Sequence, residues 1–200
     1  MARLLATMEV PVQKPGTRLP KTKEPQMGWG SFSIGDNTYD LGHLDPFLIT
    51  VAPKAGGAKA KFLVTFGSHC FTRNRNPEDA ADHHFTDGAD IRSFCTRRHV
   101  HSLHLPMIVR RAAGGRVFFS EGRNLLCVHW FPELDAPYTA YFNLVKSSRK
   151  GIDATMFVVS AYEKRGLPLR LPSATFATLV FEVVRGRTLK PPRDARSTKK

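Results

Sequence analysis

The sequence predicts an α+β fold: a mainly antiparallel sheet of about six to eight strands, one principal helix and flexible basic termini. Short apolar runs bounded by Gly, Pro, Asp or Asn recur along the chain, which is the pattern of strands joined by turns. Between two groups of these runs lies a stretch with helical spacing of its apolar residues. The chain has 200 residues, of which 42% are hydrophobic, enough for one domain with a real core.

The predicted domain spans residues 29–186, between an extended N-terminal arm at 1–28 and a basic tail at 187–200. Prolines recur among basic and small residues in the arm, so it has little commitment to regular structure. The tail is rich in Lys and Arg, which predicts a solvated segment. A role in solubility, without a dedicated site, is the first interpretation of this tail, and weak contact with nucleic acid is the alternative.

The first strands are predicted from three runs: FSIGDNTYDL from residue 32, FLITVA from residue 47 and KFLVTFG from residue 61. The principal helix is expected to start near Asp90 and to end at Pro106, because proline cannot continue a helix. Its helical spacing depends on Ile91, Phe94, Cys95, Arg98 and Ser102.

Two hairpins are predicted after the helix. The runs VFFS and LLCVHWF should turn about Gly122 and Asn124, and the runs YTAYFNLVK and ATMFVVSAY should turn about Gly151. A last run, TFATLVFEVV, alternates in a way that predicts a strand, with a helix as the alternative.

Composition limits the class of partner. Thirty Lys and Arg against 17 Asp and Glu give a formal charge of +13, so an acidic partner is favoured, either nucleic acid or an acidic protein surface. The three cysteines are an odd number, and no apolar run approaches the roughly 20 residues that cross a bilayer. We therefore expect a cytoplasmic protein in a reducing compartment, without a membrane partner.

Histidine and cysteine crowd one segment, which makes it the first candidate for chemistry. Six of the eight histidines and two of the three cysteines lie between His69 and His104. Zinc binding is one hypothesis, but the segment has no CxxC or HExxH spacing, and burial of the thiols is the competing interpretation. The zinc ligands would be Cys70, Cys95 and His99, completed by His83, His84, His101 or His104.

Metal-independent RNA cleavage is a second hypothesis for the same segment. It needs a base for the 2′-hydroxyl, an acid for the leaving oxygen and cations for the phosphate, with no cofactor. Histidine, arginine and tyrosine side chains supply all three roles, although nothing in their spacing determines their geometry. The candidate set is His69, Arg92, Arg98, His99 and Tyr162.

Docking on a protein is the third hypothesis, and two short segments carry it. Bacterial sliding-clamp ligands use a glutamine and large apolar residues in a short segment, and such anchors supply most of the interface energy. The first segment matches this pattern with Gln26, Met27, Trp29 and Phe32. The second lacks the glutamine, and core burial in a strand is its competing interpretation; it comprises Lys61, Phe62, Leu63, Val64 and Phe66.

Three stretches carry a resemblance to a known family: VTFGSHCFT at 64–72, IRSFCTRRHVHSLHLP at 91–106, and YFNLV with MFVVSAY in the last hairpin. The chain resembles the bacterial stationary-phase growth adaptation proteins, and among them the SocB-type toxins. The resemblance implies a toxin that binds the DNA polymerase sliding clamp, DnaN, and blocks replication elongation. It also implies a SocA-like antitoxin that acts as an adaptor to the ClpXP protease, and it implies no catalytic residues.

The expected function is therefore that of a non-enzymatic, clamp-binding toxin. A ribonuclease toxin and a non-enzymatic, zinc-stabilised domain are the two alternatives.

Overall fold

The computed structural model describes residues 28–53, 56–120, 125–168 and 170–191. Apart from Gly28, the predicted arm at 1–28 lies outside these ranges, as does the tail beyond residue 191. The described residues form strands β1 (Ser31–Ile34), β2 (Asn37–Asp40), β3 (Phe47–Val51), β4 (Ala60–His69), β5 (Thr72–Arg73), β6 (His84–Asp87), β7 (Asp90–Phe94), β8 (Arg116–Phe119), β9 (Leu125–His129), β10 (Tyr138–Lys146), β11 (Ala154–Glu163) and β12 (Ser173–Thr175), and helices α1 (Thr96–Ser102), α2 (Leu105–Ala113) and α3 (Phe176–Val184).

Seven strands form one large sheet in the order β12-β8-β9-β10-β11-β4-β3. Neighbours in this large sheet are antiparallel except for β4 and β11, which run parallel. Strands β5, β7 and β6 form a small three-stranded sheet, and β1 pairs with β2. The predicted α+β class is confirmed, and the large sheet has a strand number within the predicted range.

The core lies between one face of the large sheet and helices α2 and α3. Phe62 on β4 and Phe142 on β10 are fully buried on this face. The ring of Phe176, the first residue of α3, lies 5.1 Å from that of Phe62 and 6.1 Å from that of Phe142, measured between centroids. Full burial of one such side chain contributes about 1.5–3 kcal/mol, so this face supplies much of the stability.

Both predicted hairpins are confirmed. Strands β10 and β11 pair antiparallel, and Gly151 between them has a φ of +78°, a conformation that glycine adopts without the Cβ penalty. Strands β8 and β9 also pair antiparallel. The predicted turn residues Gly122 and Asn124 lie outside the described residues.

The predicted single helix near Asp90 is wrong in its start and its end. Residues Asp90–Phe94 form β7, which pairs with both β5 and β6. The helix begins only at Thr96, and Pro106 lies in the first turn of α2 instead of ending a helix. Proline is favoured at that position because the first-turn N–H groups have no intrahelical partner.

The strand predicted from TFATLVFEVV is also wrong, because only its first residue belongs to a strand. Thr175 ends β12 and caps α3, accepting a hydrogen bond at Oγ1 from the Thr178 N–H at 3.4 Å. The buried residues of α3 follow the helical spacing i, i+3, i+4 and i+7, but apolar residues at the positions between them conceal this period in the sequence. These buried residues are Phe176, Leu179, Val180 and Val183.

Truncation of Phe62 tests which face of the sheet carries the core. We expect Phe62→Ala to lower the free energy of unfolding by about 3–5 kcal/mol, because it leaves a cavity under α3. The matched control is Phe157→Ala on the neighbouring strand β11, where the side chain is 40% exposed. Urea unfolding should give a cost for Phe157→Ala of less than about half that of Phe62→Ala. Equal costs would contradict the assignment of the two faces.

Candidate functional site

The large sheet has a second face, turned away from α2 and α3, which we call the open face. Side chains alternate between the two faces along each strand, so residues next to core positions belong to it. Three large apolar side chains are exposed there: Leu48 at 53%, Phe157 at 40% and Val145 at 37%. On β3, β4, β11 and β10 the open face includes Leu48, Lys61, Leu63, Thr65, His69, Tyr141, Asn143, Val145, Thr155, Phe157, Ser160 and Tyr162.

A mostly apolar row of side chains crosses this face, with Leu63 buried and Thr155 as its polar member. Leu48 pairs with Leu63, Leu63 with Thr155, and Thr155 with Val145, so one row crosses four strands. Phe157 lies one row further along, and a Cβ built on Gly67 would lie 3.0 Å from its Cζ. We call Leu48, Leu63, Val145 and Phe157 the apolar strip.

A polar group, which we call the His69 cluster, occupies the other end of the open face. It comprises His69, Asp90, Arg92, Arg98 and Tyr162. Asp90 Oδ2 lies 3.7 Å from His69 Nε2 and 3.4 Å from Arg92 Nη1. The Arg98 guanidinium carbon lies 5.2 Å from the centre of the Tyr162 ring. Four of the five residues predicted for RNA cleavage therefore come together, although their strands and helix are far apart in sequence.

Burial and the positive charge of Arg92 lower the pKa of His69 below its ordinary value, against the opposing effect of Asp90. The imidazole is therefore neutral at neutral pH and is able to accept a proton. Its side chain remains 41% exposed, so a ligand on the open face has access to it. Tyr141 extends the cluster, since its ring stacks on that of Tyr162 at 5.5 Å between centroids.

The two arginines of the cluster are already engaged by the protein. Arg92 donates from Nε to Thr72 Oγ1 at 2.7 Å and from Nη1 to Asn74 Oδ1 at 3.2 Å. Arg98 donates from Nη1 to the carbonyl oxygens of Thr72, at 2.6 Å, and of His69, at 3.0 Å. Both side chains therefore brace the turn after β4, which reduces the number of donors left for a phosphate.

His99 does not join this cluster. Its Nε2–H donates to the carbonyl oxygen of Asp40 at 2.9 Å, and its ring packs on those of Tyr39 and Phe94. His99 thus anchors α1 to the β1–β2 hairpin, whereas Arg98, next to it in sequence, faces Tyr162.

The proposed zinc ligands are not brought together either. Cys70 is fully buried and donates from Sγ to the carbonyl oxygen of Val158 at 3.7 Å, while His99 lies against the β1–β2 hairpin. Within the ranges that the structure describes, no group of three or more His, Cys, Asp or Glu side chains is placed to hold a metal ion.

The first docking segment is partly packed into the protein. Trp29 donates from Nε1 to the carbonyl oxygen of Phe66 at 3.1 Å, and its ring contacts Phe71 and Phe85. Phe32 stacks on Phe94 at 4.8 Å between centroids. The remaining two residues of this segment, Gln26 and Met27, lie outside the described residues.

The second docking segment, residues 61–66, lies in β4, between β3 and β11. Phe62, Val64 and Phe66 are buried on the helix-covered face. Only Lys61, Leu63 and Thr65 alternate to the open face, and of these Lys61 is exposed. The segment can therefore present Lys61 to a partner, and Thr65 in part, but neither its phenylalanines nor Leu63, which is buried.

A comparison with known families identifies the chain at a coarse level. The sequence model of the YjaZ family matches residues 31–184. The chain belongs to the YjaZ family. The match runs from the first residue of β1 to the last residue of α3, so the family similarity and the described fold have the same extent.

Searches of curated proteins and of solved structures gave no match to this YjaZ-family protein. In the described parts of the chain, no helix is both long enough and apolar enough to span a membrane.

Sequence reasoning missed three residues in this YjaZ-family protein: Tyr141 and Phe157 on the open face, and Asp90 of the His69 cluster, which belongs to β7 of the small sheet. Strand alternation was the available signal for two of them, because Tyr141 and Phe157 follow core positions in predicted strands. The signal for Asp90 was hidden, because the residue was assigned to a helix that the structure replaces with β7.

The cysteines offer a direct test of this geometry. Burial raises the pKa of Cys70 and of Cys127 to about 12, so both remain protonated thiols at neutral pH. We expect Cys95, which is only partly buried, to react first with a thiol reagent in the native protein. Mass spectrometry of the labelled peptides measures the three rates, and Cys95→Ser should remove the fast phase. Native labelling of Cys70 as fast as that of Cys95 would contradict its burial.

Proposed function

We propose that this YjaZ-family protein is a growth-inhibiting bacterial toxin that blocks replication elongation by docking on the DNA polymerase sliding clamp. The observation that carries the proposal is the apolar strip on the open face. The SocB-like segments at 64–72 and 91–106 support it, since they supply the second half of β4 and the whole of α1 within the matched region.

The apolar strip has the character of a docking surface. Single exposed apolar residues are ordinary on proteins, whereas a contiguous strip across several strands is typical of an interface. Leu48, Val145 and Phe157 are exposed enough to serve as anchors, and such anchors carry most of the energy of an interface. A protein partner suits this surface because it is broad and carries little charge.

Positive charge lies beside the strip. Lys61 is exposed on the open face and pairs with Thr50 in the row next to Leu48 and Leu63. The chain as a whole carries a formal charge of +13. An acidic rim on the clamp would accelerate encounter and orient the complex, with smaller effects on its lifetime.

The two predicted docking segments contribute unequally to this proposal. Lys61 is exposed on the open face, so the second segment takes part through this side chain, while Leu63 and the phenylalanines of the segment are buried. Gly28 and Trp29 line a small cleft with Pro46 and Thr65, at the edge of the same face. Gln26 and Met27 directly precede Gly28 in the sequence, which favours a joint role for the arm and the strip.

Control of such a toxin requires a partner that removes it. We propose a SocA-like antitoxin that covers the open face and delivers the protein to the ClpXP protease. Competition between antitoxin and clamp for the apolar strip then follows, because one surface cannot hold both.

Binding of the purified chain to the purified sliding clamp tests the proposal. We expect Leu48→Ser with Phe157→Ser to weaken the complex about tenfold or more, because two exposed anchors are lost. Gln26→Ala should weaken it further if the arm takes part. Surface plasmon resonance gives the dissociation constants, and thermal unfolding confirms that each variant is folded.

Val100→Ser is the matched control, because Val100 on α1 is 54% exposed and lies outside the large sheet. Its clamp affinity should equal that of the unchanged protein. In cells, expression should stop DNA synthesis while total RNA stays intact. The proposal is wrong if the clamp does not bind, or if the double variant binds as tightly as the control.

RNA cleavage is the second candidate function, and the convergence of the His69 cluster favours it. His69 is neutral and accessible for the role of base, and Arg98 lies above the stacked Tyr141–Tyr162 pair. Exposed tyrosine rings on a sheet can also stack on the bases of single-stranded RNA. Because Arg92 and Arg98 already donate hydrogen bonds within the protein, we rank RNA cleavage below docking as the proposed function.

His69→Ala and Tyr162→Phe decide between the two candidates. Under docking, both variants keep clamp binding and toxicity, since neither residue belongs to the apolar strip. Under RNA cleavage, both lose toxicity by at least about tenfold while the fold is retained. Gel analysis of total RNA after expression provides the measurement, and prompt fragmentation by the unchanged protein would establish the ribonuclease.

A further inference from the structure

The large sheet ends at β3, and this edge faces a cleft. Strand β3 pairs with β4 on one side, and no strand of the described residues pairs with its other side. The cleft has a volume of about 540 Å³ and runs along Ile49, Thr50, Val51 and Ala52. Its opposite wall includes Arg116 of β8 and Thr175 of β12, which lie at the other end of the sheet. The large sheet therefore curls until its two ends face one cleft.

Backbone hydrogen bonds show that the edge of β3 is available for pairing. Opposite residues of an antiparallel pair exchange either both of their backbone bonds or neither. Lys61, opposite Thr50, donates its N–H to Asp153 Oδ2 at 2.8 Å and accepts from the Asp153 N–H at 2.8 Å. Since both backbone groups of Lys61 point toward β11, those of Thr50 point away from β4 and into the cleft. By the same alternation, the backbone groups of Leu48, two residues earlier and opposite Leu63, also point away from β4.

Two arginines give the cleft its charge. Arg110, on α2, and Arg116 line it, and both are exposed. The Arg110 guanidinium carbon lies 4.2 Å from the centre of the Phe47 ring, and Arg116 donates to Ser173 Oγ. Among the described residues, neither arginine has a carboxylate within ion-pair distance. A ligand that fills the cleft should therefore carry negative charge.

We propose that β3 accepts an extended, acidic segment of a partner protein as an additional strand. Main-chain groups of the segment bond to the N–H and C=O groups of Leu48 and Thr50, which is the mode of β-strand addition. A carboxylate of the segment pairs with Arg110 and Arg116. The segment lies between the two ends of the curled sheet and extends its hydrogen-bonded ladder.

Other occupants fit these observations less well. A second copy of the chain joined through β3 would bring two pairs of arginines together in a protein of formal charge +13. A small anion would satisfy the arginines but would leave the backbone groups of Leu48 and Thr50 without partners. The site is separate from the apolar strip in its chemistry, since it uses main-chain bonds and charge, so it stands whether or not the clamp is the target.

Synthetic peptides test the proposal on the intact protein. The probe is a blocked eight-residue peptide of alternating valine and threonine with two glutamates, and its matched control carries two lysines instead. We expect the glutamate peptide to slow amide hydrogen exchange at Thr50 and Leu48 about tenfold or more. The lysine peptide should leave both amides unchanged.

Substitutions at Thr50 and at the two arginines separate the main-chain and the charge contributions to peptide binding. Thr50→Pro removes an N–H that makes no bond to β4, so it should abolish peptide binding while the fold is retained. Arg110→Gln with Arg116→Gln should weaken binding about tenfold or more. Lys146→Gln with Lys150→Gln removes the same charge at exposed positions outside the cleft and should leave affinity unchanged.

Three results would overturn the proposal. The first is no protection of Thr50 and Leu48 by glutamate peptides at about 1 mM, the weak end of specific binding. The second is equal binding of the lysine peptide, which would remove the role of the arginines. The third is a dimer joined through β3 in sedimentation and exchange measurements, which would make a second copy the occupant. If Thr50→Pro does not fold, the peptide pair and the arginine variants still decide the outcome.

Discussion

Parallel pairing of β4 with β11 is the constraint on which the rest of the structure depends. It joins a strand from the first half of the chain to the last hairpin, and it is the one parallel pair in the described sheet. Its register places Phe62, Val64 and Phe66 under the helices and sets His69 opposite Ser160. A slip of one residue would exchange the two faces of β4 and remove the core.

The same pairing separates the surfaces that we assign to different partners. Because Phe62 and Phe66 on β4 lie in the core under the helices, they are unavailable to a partner, and the exposed apolar residues lie on other strands instead. Because β3 ends the sheet within the described residues, the outward backbone groups of Thr50 face a cleft flanked by Arg110 and Arg116. Docking through side chains and docking through the main chain thus use different groups of one sheet, and Leu48 contributes its side chain to the first and its backbone to the second.

The side chains of the His69 cluster resemble a catalytic group, but two of them already stabilise the fold. Arg92 and Arg98 brace the turn after β4 by hydrogen bonds to Thr72, Asn74 and backbone oxygens. Burial of His69, together with the positive charge of Arg92 and Arg98, lowers the pKa of its imidazole and keeps it neutral at neutral pH. A base, two cations and a tyrosine therefore share a surface, but the cations already have partners, which is why we rank docking above RNA cleavage.

Local pattern determined the class and much of the strand content of this protein. Alternation of apolar residues predicted the hairpin of β10 and β11 because each strand buries one face, and turn formers located its end at Gly151. Where the local pattern was ambiguous, tertiary contacts decided the secondary structure. Apolar residues on all sides of α3 conceal its helical period in the sequence, and the helix is stabilised by packing on Phe62 and Phe142 and by the cap at Thr175.

The candidate site residues were also visible in the sequence, but their grouping in space was not. Only long-range pairing decided that His69, Arg92, Arg98 and Tyr162 meet while His99 does not, because strand register depends on partners distant in sequence.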